Sequence, residues 1–313
     1  MRRNLSRISL YNLVFAVICL GLLGIFSSAC TVGEKTTTPI ITESSTESSV
    51  TMQPTQTSTP QEPSPTPLPL AASVNGEGIT IANYQAELAL YQAAVDRDLV
   101  PEDEELVLND LISNMLLGQA AVENGFSLED SALQERVDQL VEKIGGKSAF
   151  DEWLSMIKYD EDSFRTALAR SISAAWMRDQ IAASVSDFME QVHAQQILVF
   201  DVQEANALVA RLQAGADFAA LAFEYDPVAR GDLGWFPRGY LLEPEVEETA
   251  FELEPGQYSG VVETKTGYHI IFVVERDQER VVDPDARLTL QSAALLEWLE
   301  RRLDEAEIQI LLP

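Results

Sequence analysis

Two histidines, two cysteines and one glycine-framed turn are the residues of this 313-residue sequence whose types and spacing invite a chemical reading. The thiols Cys19 and Cys30 are too few for a disulfide framework and lack metal-ligand spacing, so neither a cofactor nor a metal site is implied. His269 sits in Gly267-Tyr268-His269-Ile270-Ile271-Phe272-Val273, a strand pattern opened by glycine. Ahead of it, Gly231 to Gly239 reads Gly-Asp-Leu-Gly-Trp-Phe-Pro-Arg-Gly, three glycines and a proline framing the apolar pair Trp235 and Phe236. Such a run is a shaped turn containing the start of a strand. Two readings of His269 stand open: a satisfied core histidine, or a member of a hydrogen-bonded catalytic network. His193 reads as an exposed strand-edge residue, and Arg238 as a solvated turn residue or a rim contact.

The elements that must position these residues follow from pattern. Val192 to Phe200 is the first strand. Helices from about Gln203 to Gln213 and Asp217 to Tyr225 come next, joined by Ala-Gly-Ala. After the glycine-framed turn come a short helix near Glu245 to Phe251, the turn Glu254-Pro255-Gly256, and strands at Tyr258 to Glu263 and Tyr268 to Val274. The order βααβαββ predicts a small α+β domain, an antiparallel sheet covered by helices.

Gly-Asp-Leu-Gly-Trp-Phe followed by Gly-Tyr-His-Ile-Ile resembles the parvulin family of peptidyl-prolyl isomerases, over roughly Val192 to Arg276. The resemblance implies an enzyme that breaks no bond but lowers a rotational barrier of about 18 to 20 kcal/mol around an X-Pro amide. It does so by favouring the twisted amide in a dry site with an apolar seat for the proline ring. Parvulins build that seat from a Met or Leu and a Phe, above two histidines and a Cys or Asp in a hydrogen-bonded network. Carried over, His269 falls on the second family histidine, and Thr264 and Thr266 fall where hydroxyl residues flank the site. Leu241 or Leu242 stands for the pocket Met/Leu, and Trp235 and Phe236 match the wall strand. The pattern departs at three places. Gln196 replaces the first histidine, a shortened loop leaves Asp226 for the Cys or Asp, and Val246 takes the place of the pocket Phe. A Gln side chain donates and accepts like a neutral imidazole, so Gln196 can preserve one bond of the network. Val246 makes a shallower seat.

Upstream, Arg2, Arg3 and Arg7 precede an apolar run to Phe26 and then Ser-Ser-Ala-Cys, the layout of an export signal. The run ending at Cys30 resembles a bacterial lipobox, which makes Cys30 the lipidation site; an uncleaved span of roughly 20 apolar residues is the competing reading. Both leave the remainder outside the cytoplasmic membrane. Residues 31–70, nearly all Thr, Ser, Pro, Glu and Gln, form a disordered tether that holds the folded part some tens of Å from the bilayer.

From Ala72 a short strand and a turn lead to a helix N-cap at Thr80, and a helix runs from about Ile81 to Asp96. A second helix follows Pro101 and ends at Asn124-Gly125. A third starts at Ser127 or Asp130 and stops at Gly145-Gly146, and two more lie near Ala149 to Ile157 and Asp162 to Ala183. Trp153, Met156, Phe164, Trp176 and Met177 read as core, with a client-binding surface as the alternative. A Val-Asn-Gly start, a helical segment and then a parvulin-like module resemble the secreted foldase-chaperones of the SurA and PrsA type. In that group the helical domain cradles non-native clients.

The last segment, Pro284 to about Glu307, is a helix with Leu288, Leu295, Trp298, Leu299 and Leu303 on one stripe, and it needs a partner. The apolar run Ile308 to Leu312 is unstable as a lone strand. It is therefore expected to pair with Ser73 to Asn75, making the helical domain from both ends of the chain with the isomerase-like module inserted. The predicted fold class is thus α+β, divided into a signal (1–29), a tether (30–70), a helical domain (71–190), a parvulin-like domain (191–277) and a returning segment (278–313).

A net charge of −29 argues against nucleic acid or anionic lipid as a partner, because phosphate binding draws on Lys and Arg. Expected partners are unfolded or nascent exported polypeptides with X-Pro bonds, and the membrane through the lipid on Cys30. Two functional readings remain: a membrane-tethered prolyl isomerase acting on exported chains, and a non-enzymatic holdase whose isomerase-like module binds extended segments.

Overall fold

A computed structural model describes residues 68–95 and 97–312. The export signal, Cys30 and the tether up to residue 67 lie outside the described residues. The chain opens with a hairpin, β1 (Leu70–Val74) and β2 (Glu77–Thr80). Its turn residues Asn75 and Gly76 both have positive φ, 52° and 83°, as a two-residue Asn-Gly hairpin turn demands. The hydroxyl of Thr80 accepts the Asn83 N–H at 3.1 Å and caps the first helix.

Five helices follow: α1 (Ile81–Val95), α2 (Pro101–Glu123), α3 (Asp130–Ile144), α4 (Lys147–Met156) and α5 (Glu161–Ala183). Pro101 opens α2, where Glu102, Asp103 and Glu104 face the positive helix end. Gly145, at φ 111°, ends α3 in the left-handed region. Edge-on aromatic contacts knit α4 to α5, with Phe150 and Trp153 both within 5.6 Å of the Phe164 ring. Trp153, Phe164, Trp176 and Met177 all join apolar clusters, whereas Met156 is 72 % exposed at the end of α4.

The inserted module begins with β3 (Phe188–Val199), α6 (Val202–Gln213), α7 (Phe218–Tyr225) and β4 (Asp232–Pro237). It closes with α8 (Pro244–Glu252), β5 (Val262–Glu263) and β6 (Tyr268–Val281). Its four strands form an antiparallel sheet in the order β4-β3-β6-β5. One face packs Ile197, Val199 and Ile270 under α6 and α7; the other packs Val192, Ala194, Ile271 and Val273 under α8.

Three strands differ from expectation. β3 and β6 run on past the sheet, pairing Phe188 with Val281 and Met189 with Arg280. The buried Gln191 amide secures this extension by donating to the carbonyls of Arg280 and Val281 at 3.1 and 3.0 Å. The expected strand from Tyr258 shrinks to an isolated bridge between Tyr258 and Phe272 ahead of a two-residue β5. There the Ser259 hydroxyl, rather than a backbone carbonyl, accepts the Ile271 N–H at 2.9 Å, which breaks the ladder.

The chain then returns through α9 (Pro284–Glu305) and β7 (Ile308–Ile310). β7 pairs antiparallel with β1, matching Val74 to Ile308 and Ala72 to Ile310, so the small sheet has the order β2-β1-β7. Leu299 of α9 is buried among Leu117, Ala121, Met177 and Ile181, and Leu303 and Ile308 pack on the cluster around Leu116 and Val74. Leu288, placed on the same stripe by spacing, is 62 % exposed because it precedes the part of α9 that meets α2 and α5. The fold is α+β, with a helical unit completed by the C-terminal helix and a βααβαββ module inserted. That helical unit also holds a three-stranded sheet.

Candidate active site

The site is built on β3 and β6. His269 pairs with Leu198 across the ladder, while Gln196 pairs with Ile271; residues two apart share a face. His269 is only 3 % exposed. Its Nδ1 lies 2.8 Å from Gln196 Oε1, and its Nε2 lies 2.9 Å from the Thr264 hydroxyl and 3.3 Å from that of Thr266. Both threonines belong to the turn from β5 to β6, which is closed by Thr264 N–H donating to the Gly267 carbonyl at 2.9 Å.

Donor and acceptor roles follow from chemistry. An amide oxygen only accepts, so His269 carries its proton on Nδ1 and donates to Gln196. Nε2 then accepts from the Thr264 hydroxyl. The Thr264 oxygen accepts the Thr266 N–H at 3.1 Å, and the Thr266 hydroxyl reaches Glu243 Oε1 at 3.3 Å. A hydrogen-bonded chain thus runs from the half-buried Gln196, through the buried His269, to the carboxylate of Glu243. Burial pushes the His269 imidazole below its ordinary pKa, opposed by the nearby carboxylates of Glu243 and Glu245. The ring is neutral at pH 7.

The same face of the sheet carries an apolar cluster, to which Ile271, two residues along β6 from His269, belongs. Phe236 is fully buried and meets the Phe251 ring edge-on at 6.1 Å. Val246 is 3 % exposed in the same cluster. Leu241 is half-buried against that cluster, whereas Leu242 is 94 % exposed. The Arg238 guanidinium covers Phe251 at 4.2 Å from the ring centre.

Two residues singled out from sequence stand apart from this group. Trp235 alternates with Phe236 on β4 and faces the other way, its ring stacked on His193 at 5.6 Å and covered by Arg280 at 4.3 Å. His193 in turn bonds Asp232 at 2.8 Å. Asp226 caps the end of α7, and its carboxylate accepts the N–H groups of Val228, Ala229 and Gly231 at 3.0 to 3.1 Å. Those backbone bonds hold the Asp226 carboxyl below the usual range. Asp226 therefore shapes the turn that delivers Gly231, whose carbonyl accepts the Gln196 N–H at 2.8 Å; its link to Gln196 is through the backbone.

Glu243 is the member that sequence reasoning missed. Its signal was an acid directly before Pro244 at the start of a short helix, a place where the chain must leave extended structure close to the Thr264–Thr266 turn.

The chain is similar in sequence to several known proteins. A family model described as Rotamase, the PPIC-type PPIase domain, matches residues 201–275. The foldase protein PrsA of Caldanaerobacter subterraneus is 32 % identical over 226 residues, covering 64 % of this chain and 72 % of the relative. The foldase protein PrsA of Halalkalibacterium halodurans is 41 % identical over 134 residues, 40 % of each chain. A crystal structure of the peptidylprolyl isomerase PrsA from Bacillus cereus is 20 % identical, covers 74 % of this chain and 84 % of that one, and superposes with a TM-score of 0.40. By the extent and identity of the first of these matches, the chain belongs to the PrsA family of foldases.

Proposed function

We propose that this protein is an extracytoplasmic foldase that speeds cis–trans isomerisation of X-Pro bonds in unfolded exported polypeptides, tethered to the membrane by a lipid on Cys30. In this reading residues 71–190 and 278–313 form the client-holding unit and 191–277 the isomerase. The observation that carries it is the closed hydrogen-bond chain about neutral His269, on the same face of the sheet as Ile271 and the apolar cluster that includes Leu241, Phe236 and Val246. Isomerisation needs no proton transfer and no nucleophile. It needs a dry, pre-oriented surface that favours an amide whose conjugation is lost, and a seat that fixes the proline ring while the preceding carbonyl turns. A neutral imidazole locked at both nitrogens supplies rigid dipoles without a charge that would draw in water.

A second reading has its own support. Asp226 spends its carboxylate on backbone, and Val246 leaves the wall less deep than a Phe would. Those features suit a holdase that binds extended segments without turning them over.

The test is NMR exchange between cis and trans forms of a short X-Pro peptide, with the full chain in detergent. Acceleration well above the uncatalysed rate, reduced by His269→Ala in a protein that stays folded, supports the isomerase. Absence of acceleration from a folded chain that still suppresses aggregation of an unfolded client favours the holdase. Palmitate labelling lost in Cys30→Ala tests the anchor.

A further inference from the structure

The loop that carries Leu241 leaves β4 at Pro237 and enters α8 at Pro244, and three successive backbone N–H groups in it point at one side chain. Glu247 Oε1 accepts the Gly239 N–H at 2.7 Å, and its Oε2 accepts those of Tyr240 and Leu241, each at 3.0 Å. Gly239 has φ +83°, and a Cβ there would come within 3.2 Å of Leu290 on α9. The loop is thus closed in by α9 on one side and pinned by α8 on the other. Three donors converging on two oxygens demand a carboxylate, which carries about four acceptor positions; an amide oxygen offers about two. Bonds of this kind are roughly twice as strong as neutral ones.

We propose that Glu247 is a positioning residue for the isomerase: it sets the backbone of Gly239 to Leu241 so that the Leu241 side chain turns onto Phe236 and Val246 while Leu242 points to solvent. This inference rests on reading the module as a prolyl isomerase with Leu241 in the proline seat. The seat touches the ring in the planar and the twisted amide alike. Its loss therefore weakens substrate binding more than turnover. The bonds from His269 to Gln196 and Thr264 involve neither Glu247 nor this loop, and they stay intact when the loop loosens.

The experiment measures kcat and KM for an X-Pro peptide by NMR exchange, using the full chain and its variants Glu247→Gln, Glu247→Ala, Leu241→Ala and the double variant Leu241→Ala/Glu247→Ala. Loss of charge-assisted bonds should raise KM about fivefold in Glu247→Gln and about tenfold in Glu247→Ala, with kcat within about twofold of the parent. Because Glu247 acts through Leu241, the double variant should be no worse than Leu241→Ala alone. A KM unchanged in Glu247→Ala, or losses that multiply in the double variant, overturns the proposal. Should Glu247→Ala fail to give a dispersed spectrum, Glu247→Gln decides by the same comparison. If the parent chain shows no acceleration, the proposed function fails instead. The positioning claim then turns on amide hydrogen exchange at Gly239, Tyr240 and Leu241, where faster exchange in Glu247→Gln sustains it and unchanged exchange refutes it.

Discussion

Asn75 and Glu307, 232 positions apart, exchange two hydrogen bonds: the Asn75 N–H donates to the Glu307 carbonyl at 2.8 Å, and the Glu307 N–H donates to Asn75 Oδ1 at 3.0 Å. This clasp sits where β1 meets β7 and joins the two ends of the described chain into one core. Asn75 also holds φ 52° and donates to Gln119 Oε1 at 2.9 Å. Asn75→Ala removes two side-chain hydrogen bonds, those with the Glu307 N–H and with Gln119, and places a residue poorly suited to positive φ in the turn. A loss of about 1–2 kcal/mol is expected in urea unfolding followed by tryptophan fluorescence. The His269 chain lies in the other unit, so the chemical shifts around it should not move. Unfolding at the parent's midpoint would show that the clasp is not what closes the helical unit.

Gly231 cannot be replaced without breaking the site. Its φ is +67°, and a Cβ built there would lie 1.9 Å from the Gln196 carbonyl oxygen, a backbone atom that cannot step aside. Gly231→Ala should therefore cost about 3 kcal/mol or more and displace Gln196 from His269. The check is the 15N shifts of the His269 ring nitrogens, which should lose the signature of a fixed Nδ1–H tautomer. A variant that keeps both the parent's melting temperature and that signature would sever the proposed link between the Asp226 turn and the network.

The extent to which this was legible beforehand depends on what each residue does. The helices could be read, because apolar spacing and glycine stops encode them locally. The clasp between Ile308 and Val74 could be inferred, since an apolar strand needs a neighbour. What escaped was the use of polar side chains. Gln191, Glu190 and Arg280 look like loop residues, yet Gln191 is buried and holds two strands together beyond the sheet. Asp226 was the right type in about the right place, but a shortened loop turns its carboxylate onto three backbone amides. Trp235 and Phe236, read as one wall, lie on opposite faces because a strand alternates. Glu243 and Glu247 are two acids among fifty, and only the closed turn shows which amides and hydroxyls they meet.

His269 gives a pH dependence with a definite sign. Its imidazole is held below the ordinary value near 6.5 by burial. The neutral ring, donating from Nδ1 and accepting at Nε2, is therefore the working form through neutral and mildly acidic pH. Isomerase activity should stay level from pH 8 down past 6.5 and fall only below it, as a proton on Nε2 forces the Thr264 hydroxyl to turn away. Replacing Glu243 and Glu245 by Gln removes the carboxylates that favour the charged ring, so the fall should move to still lower pH. The measurement is the peptide exchange rate from pH 5 to 8 beside the ring 15N shifts. A midpoint at or above 6.5, or one that does not shift in the double Gln variant, would count against a network run by neutral His269.

The helical unit carries a second acid-sensitive pair. Glu87 on α1 accepts from the Tyr159 hydroxyl at 3.2 Å; Asp110 on α2 accepts from Asn114 Nδ2 at 3.1 Å, and Arg178 of α5 donates to Asn114 Oδ1 at 3.1 Å. Both carboxyls are packed round by protein yet keep some water contact. Burial, with a smaller push from Asp110, raises Glu87 to about 7 against the Tyr159 bond; burial raises Asp110 to about 6 against Arg178 and Asn114. Acids whose folded pKa lies above the unfolded value bind more protons in the native state. Stability therefore falls as pH rises from about 4 through 7, and the full penalty is present above that window. Allowing for solvent contact, the two together should cost about 2–4 kcal/mol between pH 5 and pH 8. Glu87→Gln keeps an acceptor for Tyr159 without the charge, so it should raise stability at pH 8, leave it nearly unchanged at pH 4.5, and flatten the curve between. The dense negative charge of the whole chain also destabilises it at high pH, which makes the difference between parent and variant, measured by urea unfolding at each pH, the quantity to read. Parallel curves for the two proteins would show that Glu87 titrates as an ordinary surface acid.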